Sequence, residues 1–169
     1  MFYLGVSFDR GYGVSRNLVA AANWYKKAAA LCHRGAHFNL GMMYRDGEGV
    51  RRDLAKAAAL FQTAARAGEP EAARELGFCL ATGLGVRKNL AAAARWYRIA
   101  AAAGDEIAQY NLALCYLDGT GVSKSPRRAK YWLIKSASKN YASAKERLAG
   151  LRTSGSFKPR LGARHGRRA

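Results

Sequence analysis

Gly47-Glu48-Gly49-Val50 decides how this chain is read, because the same pattern of glycine, glycine and valine returns at Gly11–Val14, Gly83–Val86 and Gly119–Val122. Each copy lies 36 residues from the next. Self-similarity at a fixed period of roughly 20–50 residues marks a stacked-repeat architecture, and it outranks any local assignment. Other columns keep the same register. Leu4, Leu40, Leu76, Leu112 and Leu148 form one, and the position after it is always small: Gly5, Gly41, Gly77, Ala113 and Ala149. Ala21, Ala57, Ala93 and Ala129 form another, followed by Trp24, Leu60, Trp96 and Trp132.

Within one period the pattern predicts two helices. Ala108, Leu112 and Tyr116 recur at i, i+4 and i+8, which places them on one helical face. The small residue beside the leucine predicts a close approach by a neighbouring backbone. The Gly-x-Gly turn ends this first helix, since glycine enters the left-handed region without steric penalty. Asn17, Asp53, Asn89 and Ser125 then stand where a second helix needs an N-cap, and all four are good capping residues. Ala93, Trp96, Tyr97, Ala100 and Ala101 give that second helix its own apolar face. Gly68, Gly104 and Asn140 suit its C-terminal turn. Cys32 breaks that column, which predicts a different turn between the first two units.

The fold expected is all-α: a solenoid of about four 36-residue helix-turn-helix repeats. The repeats are framed at residues 1–35, 36–71, 72–107 and 108–143, with a partial one at 144–151. No single helix pair can bury its apolar face alone, so stacking completes the core. Residues 152–169 carry six bases, no acid and no apolar pattern; they read as a disordered basic tail. The first unit lacks a polar cap, so its outer face is expected either to be exposed, and open to self-association, or to be covered by further residues of a longer array.

In these columns the sequence resembles the Sel-1-like repeat family, relatives of tetratricopeptide repeats. Ala108-Gln109-Tyr110-Asn111-Leu112, Leu40-Gly41-Met42-Met43-Tyr44, the four Gly-x-Gly-Val turns and the run from Ala93 to Ala101 carry the resemblance over residues 2 to 151. It implies a right-handed α/α superhelix that serves as an adaptor for protein complexes. Some secreted relatives staple each repeat with a cysteine pair, and the second cysteine is missing here.

Composition narrows the function classes. The chain holds 29 Lys+Arg against 11 Asp+Glu, a formal charge of +18, which favours association with nucleic acid, anionic lipid or acidic proteins. Cys32, Cys79 and Cys115 are an odd set; they are read as reduced, mostly buried thiols. No apolar run is long enough for a transmembrane helix, and Met1–Arg10 does not read as a secretory signal. A cytoplasmic location is the resulting expectation.

The natural binding surface of a solenoid is its concave face. Opposite the core-facing residues of the first helix of each repeat lie Phe38, Met42 and Arg45, then Arg74, Glu75 and Phe78, then Tyr110, Asn111 and Leu114, with Val6 continuing the row. This stripe fits a groove for a protein or peptide partner. Packing between repeats is the competing account, because Phe38, Tyr110 and Asn111 follow the repeat pattern itself. Arg74 and Glu75 depart from that pattern and are the expected seat of specificity. The alternative is nonspecific polyanion binding, to nucleic acid or anionic membrane, by the basic body and by Lys158, Arg160, Arg164, Arg167 and Arg168 of the tail.

No constellation of catalytic residues stands out. A Gly-x-Ser-x-Gly elbow and a phosphate-binding Gly-x4-Gly-Lys-Ser/Thr loop are both missing. His33 and His37 are separated by Gly35 at a helix junction and have no acidic ligand nearby in sequence. Asp46, Asp105, Glu106 and Asp118 stand at helix junctions, where capping and solvation explain them. The expectation is a binding protein, not an enzyme, with no cofactor and no metal.

Overall fold

The computed structural model describes residues 1–153. Among them are nine α-helices and no strand: α1 (Phe2–Arg10), α2 (Leu18–Ala30), α3 (Arg34–Asp46), α4 (Leu54–Arg66), α5 (Pro70–Thr82), α6 (Leu90–Ala102), α7 (Glu106–Asp118), α8 (Pro126–Ser138) and α9 (Ala142–Thr153). Each helix packs on the one before and the one after it. The odd-numbered helices are the first of each unit (A helices) and α2, α4, α6 and α8 the second (B helices). Side chains also bridge A helix to A helix, as from Arg45 to Glu75. Leu60 of α4 lies against the cluster that contains Ala21, Ala22 and Tyr25 of α2. The result is two layers, A on one side and B on the other, with the core between them.

The helix starts follow from the caps. The side chains of Asn17, Asp53, Asn89 and Ser125 accept from the backbone N–H groups of Ala20, Lys56, Ala92 and Arg128. Pro126 follows Ser125 at the first helical position, where its missing N–H is no loss. At the A-helix C-termini the first glycine of each turn is left-handed, with φ of 77° at Gly47 and its N–H donating to Met43 O.

The turn after each B helix has one geometry throughout, which corrects the expectation at Cys32. The backbone N–H of His33 donates to Ala28 O, as Glu69 does to Ala64 O and Asp105 to Ala100 O. Cys32 takes φ 59° where Gly68 takes 84°. Closing this turn needs one left-handed residue, and the six-residue bond holds the cysteine there against its steric preference. Asn140 does the same in the last unit, at φ 66°.

Alanine dominates the layer between the helices. Ala21, Ala57, Ala93 and Ala129 are buried in every unit, with Leu40, Leu76 and Leu112 facing them. The small position after each leucine has a sharper reason than the sequence implies. A Cβ on Gly41 would stand 2.7 Å from the ring of Phe61, and one on Gly77 2.8 Å from the ring of Tyr97. The neighbour that approaches is thus an aromatic face, with the α4 and α6 backbone only just behind it. In the fourth unit Ala113 packs with Leu133, in the same two columns. The larger residue on one helix is matched by a smaller one opposite.

The second glycine of the turn serves a different joint. Side chains on Gly49, Gly85 or Gly121 would collide with the carbonyls of Leu18, Leu54 or Leu90 in the preceding B helix. Gly13 meets nothing. Tyr3, Leu4, Tyr12 and Val14 of the first unit are exposed.

Candidate functional site

The row read from the sequence lies on the A helices, and the structure divides it into residues engaged in the scaffold and residues presented to solvent. Phe38 packs against the core with its ring 6.1 Å from that of Phe61. Met42 also leans on the core, and Asn111 and Leu114 are half-buried. Tyr110 packs on Tyr141 across the joint to α9, ring centroids 5.3 Å apart. Phe78 is the exception: it is 43% exposed in the middle of the row, with Val6 and Met42 at the equivalent positions before it and Leu114 after.

The charged members form a continuous chain beside Phe78. Arg45 is held by Asp46 through Nε and Nη2, and its Nη1 donates to Glu75 Oε2 at 2.9 Å. Glu75 Oε1 accepts from Nε and Nη2 of Arg74. Nη1 of Arg74 reaches Asp105 Oδ2 at 3.0 Å. Asp105 Oδ1 caps α7 by accepting from Ala108 N–H. One line of alternating charge therefore crosses three units. Arg74 and Asp105 are only 17% and 7% exposed, so their attraction is little screened.

The environments of these groups shift them in opposite directions. The Arg45 guanidinium lies above its ordinary value, chiefly through its bonds to Asp46, and Asp46 lies below the usual carboxylate range for the same reason. Burial pushes Asp105 up, against the opposing pull of Ala108 N–H and Arg74. A groove of about 220 Å³ lined by Phe38, Asn39, Met42 and Asp46 opens between the first two units, on the same face.

Two features escaped the sequence reading. Asp105 stands out there only as a cap, and its partner Arg74 is 31 residues away. Arg16 and Arg52 donate from Nε to the carbonyls of Asp9 and Arg45, closing the ends of α1 and α3; a cation there also favours the helix dipole. The available signal was a column of bases, Arg16, Arg52, Lys88 and Lys124, at the repeat period. His33 is a cap too, its Nδ1 accepting from Ala36 N–H. Cys79 and Cys115 are buried free thiols, whereas Cys32 is exposed. Lys158, Arg160, Arg164, Arg167 and Arg168 lie outside the described residues.

A family model for the Sel1 repeat matches residues 1–31, 35–69, 70–105 and 107–141. The chain belongs to the Sel1-repeat family. Among solved structures, this Sel1-repeat protein is similar to a Sel1 repeat protein from Oxalobacter formigenes, with 38% identity and a TM-score of 0.84 over 90% of this chain and 62% of that one. It is also similar to c5321, described as a protective antigen of uropathogenic Escherichia coli with an SLR fold. There the identity is 32% and the TM-score 0.86, over 92% of this chain and 33% of that one. The chain thus spans less than two thirds of the length of either. Cysteine-rich protein B of Helicobacter pylori shares the fold, at 22% identity and a TM-score of 0.62 over 78% of this chain and 94% of that one. No curated protein matches significantly. Sel1-repeat proteins generally act as scaffolds for protein–protein interaction and are typically non-catalytic.

Proposed function

We propose that this Sel1-repeat protein is a non-catalytic adaptor that holds a protein or peptide partner along its A-helix face. The row Val6, Met42, Phe78 and Leu114 forms the contact, with Arg45, Glu75, Asn111 and Tyr110 as its polar edge. The observation that carries the reading is the exposure of Phe78 beside side chains already held by ion pairs. An aromatic anchor on a pre-ordered surface loses little further freedom when a partner arrives. Arg74 and Glu75 act here by holding the surface in place, while their outer edges border the partner. The buried free thiols Cys79 and Cys115 fit a reducing compartment, and we place the protein in the cytoplasm.

The test is affinity capture from nuclease-treated extract, followed by calorimetry of the purified partner with wild-type chain and with Phe78→Asp. A partner whose affinity falls at least tenfold supports the reading. A partner that binds both forms equally removes Phe78 from the contact.

A further inference from the structure

The positive charge of this molecule is not spread evenly. The four B helices hold ten lysines and arginines and no carboxylate. The A helices, α9 included, hold seven bases and seven carboxylates. A uniform enrichment in arginine would load both layers alike, so the segregation belongs to one face. Lys26, Lys27, Arg95, Arg98, Arg127 and Arg128 are all exposed there.

The same face presents aliphatic and aromatic groups among its charges. Val19 is 60% exposed, and Ile99 and Ile134 are each 50% exposed. Trp24, Trp96 and Trp132 lie half-buried at the edges of the B helices. Lys27 Nζ stands over the Trp24 ring at 4.5 Å, and Lys135 Nζ over Tyr131 at 5.0 Å. Two clefts recur two units apart in matching positions. One includes Val19, Asn23 and Lys26 beside Tyr44, the other Ala91, Arg95 and Arg98 beside Tyr116.

We infer that the B-helix face docks peripherally on an anionic lipid bilayer. Charge selects a polyanion, and the apolar tips select which one. Val19, Ile99 and Ile134 have no π face to stack on bases, but they suit the boundary between headgroups and acyl chains, where tryptophan and tyrosine also settle. The shape agrees. Helices of 13 residues, each about 20 Å long, repeat along one layer and give a broad platform in place of a track for one strand. Each base near an anionic leaflet adds about fivefold to partition. No helix among the described residues is long and apolar enough to cross a membrane, so the contact is superficial and leaves the A-helix face free for a partner.

The test uses the full chain with phosphatidylcholine vesicles, with and without phosphatidylglycerol, read by co-sedimentation and by tryptophan emission. Binding is expected only with the anionic lipid, with a blue shift and a steep loss in salt. Lys26→Glu, Lys27→Glu, Arg95→Glu and Arg98→Glu together should weaken it at least twentyfold. The glutamine version of the same four should weaken it less, and thermal unfolding checks that both fold. Val19→Ser, Ile99→Ser and Ile134→Ser should reduce the emission shift and keep most of the salt-sensitive binding. Reversal of Lys145, Arg147, Lys158 and Arg160 is the control for charge elsewhere and should leave most binding intact. Vesicle binding that is missing, unchanged in the quadruple variant, or equally lost in the control overturns the inference. So does tight binding of a short DNA duplex, lost in the quadruple variant, in a protein that ignores the vesicles.

Discussion

Arg74 meets Asp105 at the same pair of positions where Tyr110 meets Tyr141 one unit later. The joint recurs at Phe2 and His33, whose rings stack at 4.1 Å. One geometric contact between successive units is thus filled by a stack, by an ion pair and by an aromatic pair. In the remaining unit the same two positions hold Phe38 and Glu69, and Glu69 turns to Arg34 at 3.2 Å, so a carboxylate opposite a ring is accommodated only where a cation stands beside it. Arg74→Ala should destabilise the fold by about 2–4 kcal/mol, because it strands Asp105. Changing both residues to tyrosine should recover at least half of that loss. Denaturant unfolding of the two singles and the double checks the coupling, and independent effects would disprove the shared joint.

Gly77 and Tyr97 make a second matched pair. Gly77→Ala drives a Cβ into the ring and should cost about 1–3 kcal/mol. Combining it with Tyr97→Leu reproduces the Ala113 and Leu133 pairing of the fourth unit, and should be less destabilising than the sum of the two changes. Thermal unfolding of the four proteins measures this, and strict additivity would contradict it.

The B-helix caps are open to a simpler test. Asn89→Ala removes the acceptor of Ala92 N–H and should lower stability by about 1 kcal/mol. Asn89→Asp should retain most of it, since the carboxylate also accepts and suits the helix N-terminus. Equal losses in both variants would show that the cap bond is not the source.

Alkaline pH probes the first unit. Burial, aided by the neighbouring Asp9 carboxylate, pushes Tyr25 from 10.0 up to about 12, and its hydroxyl donates to Asp9 Oδ2 at 3.3 Å. The folded state therefore favours the neutral phenol. Its contribution is complete below pH 10 and declines as pH rises toward 12, by about 2–3 kcal/mol in all. Tyr25→Phe should flatten this part of the stability profile, as followed by urea unfolding at successive pH values.

What was legible in the sequence was whatever repeats or acts locally. The period, the caps at Asn17, Asp53, Asn89 and Ser125, and the glycine turns each need only a few neighbouring residues to be recognised. The turn at Cys32 was misread because residue preference argued against a left-handed cysteine, and only the surrounding bonds override it. Arg74 looked like a tooth for a partner because it broke an aromatic column. Its compensation, Asp105, lies across a stacking contact, where periodicity says that two positions meet but not that their chemistry is complementary. The charge segregation was hidden in the same way: net charge is a sum over the chain, and the layers that divide it exist only once the helices are stacked.

The matched pairs also bear on how an array of this kind can change length. Arg74 and Asp105, like Gly77 and Tyr97, all fall between Pro70 and Asp105. A duplication or excision of that segment carries both partners of these two pairs together, and of the ion pairs described above only the Arg45–Glu75 bridge crosses its boundary. The same length removed out of phase, from Leu90 to Ser125, would set Arg74 against Tyr141 and Gly77 against Leu133, leaving Arg74 with Glu75 as its one remaining partner and a void beside the glycine. Recombination at the turn between units is therefore tolerated where recombination at the glycine turn is not, and the seam along which such a gene can grow or shrink is fixed by the fit of its side chains.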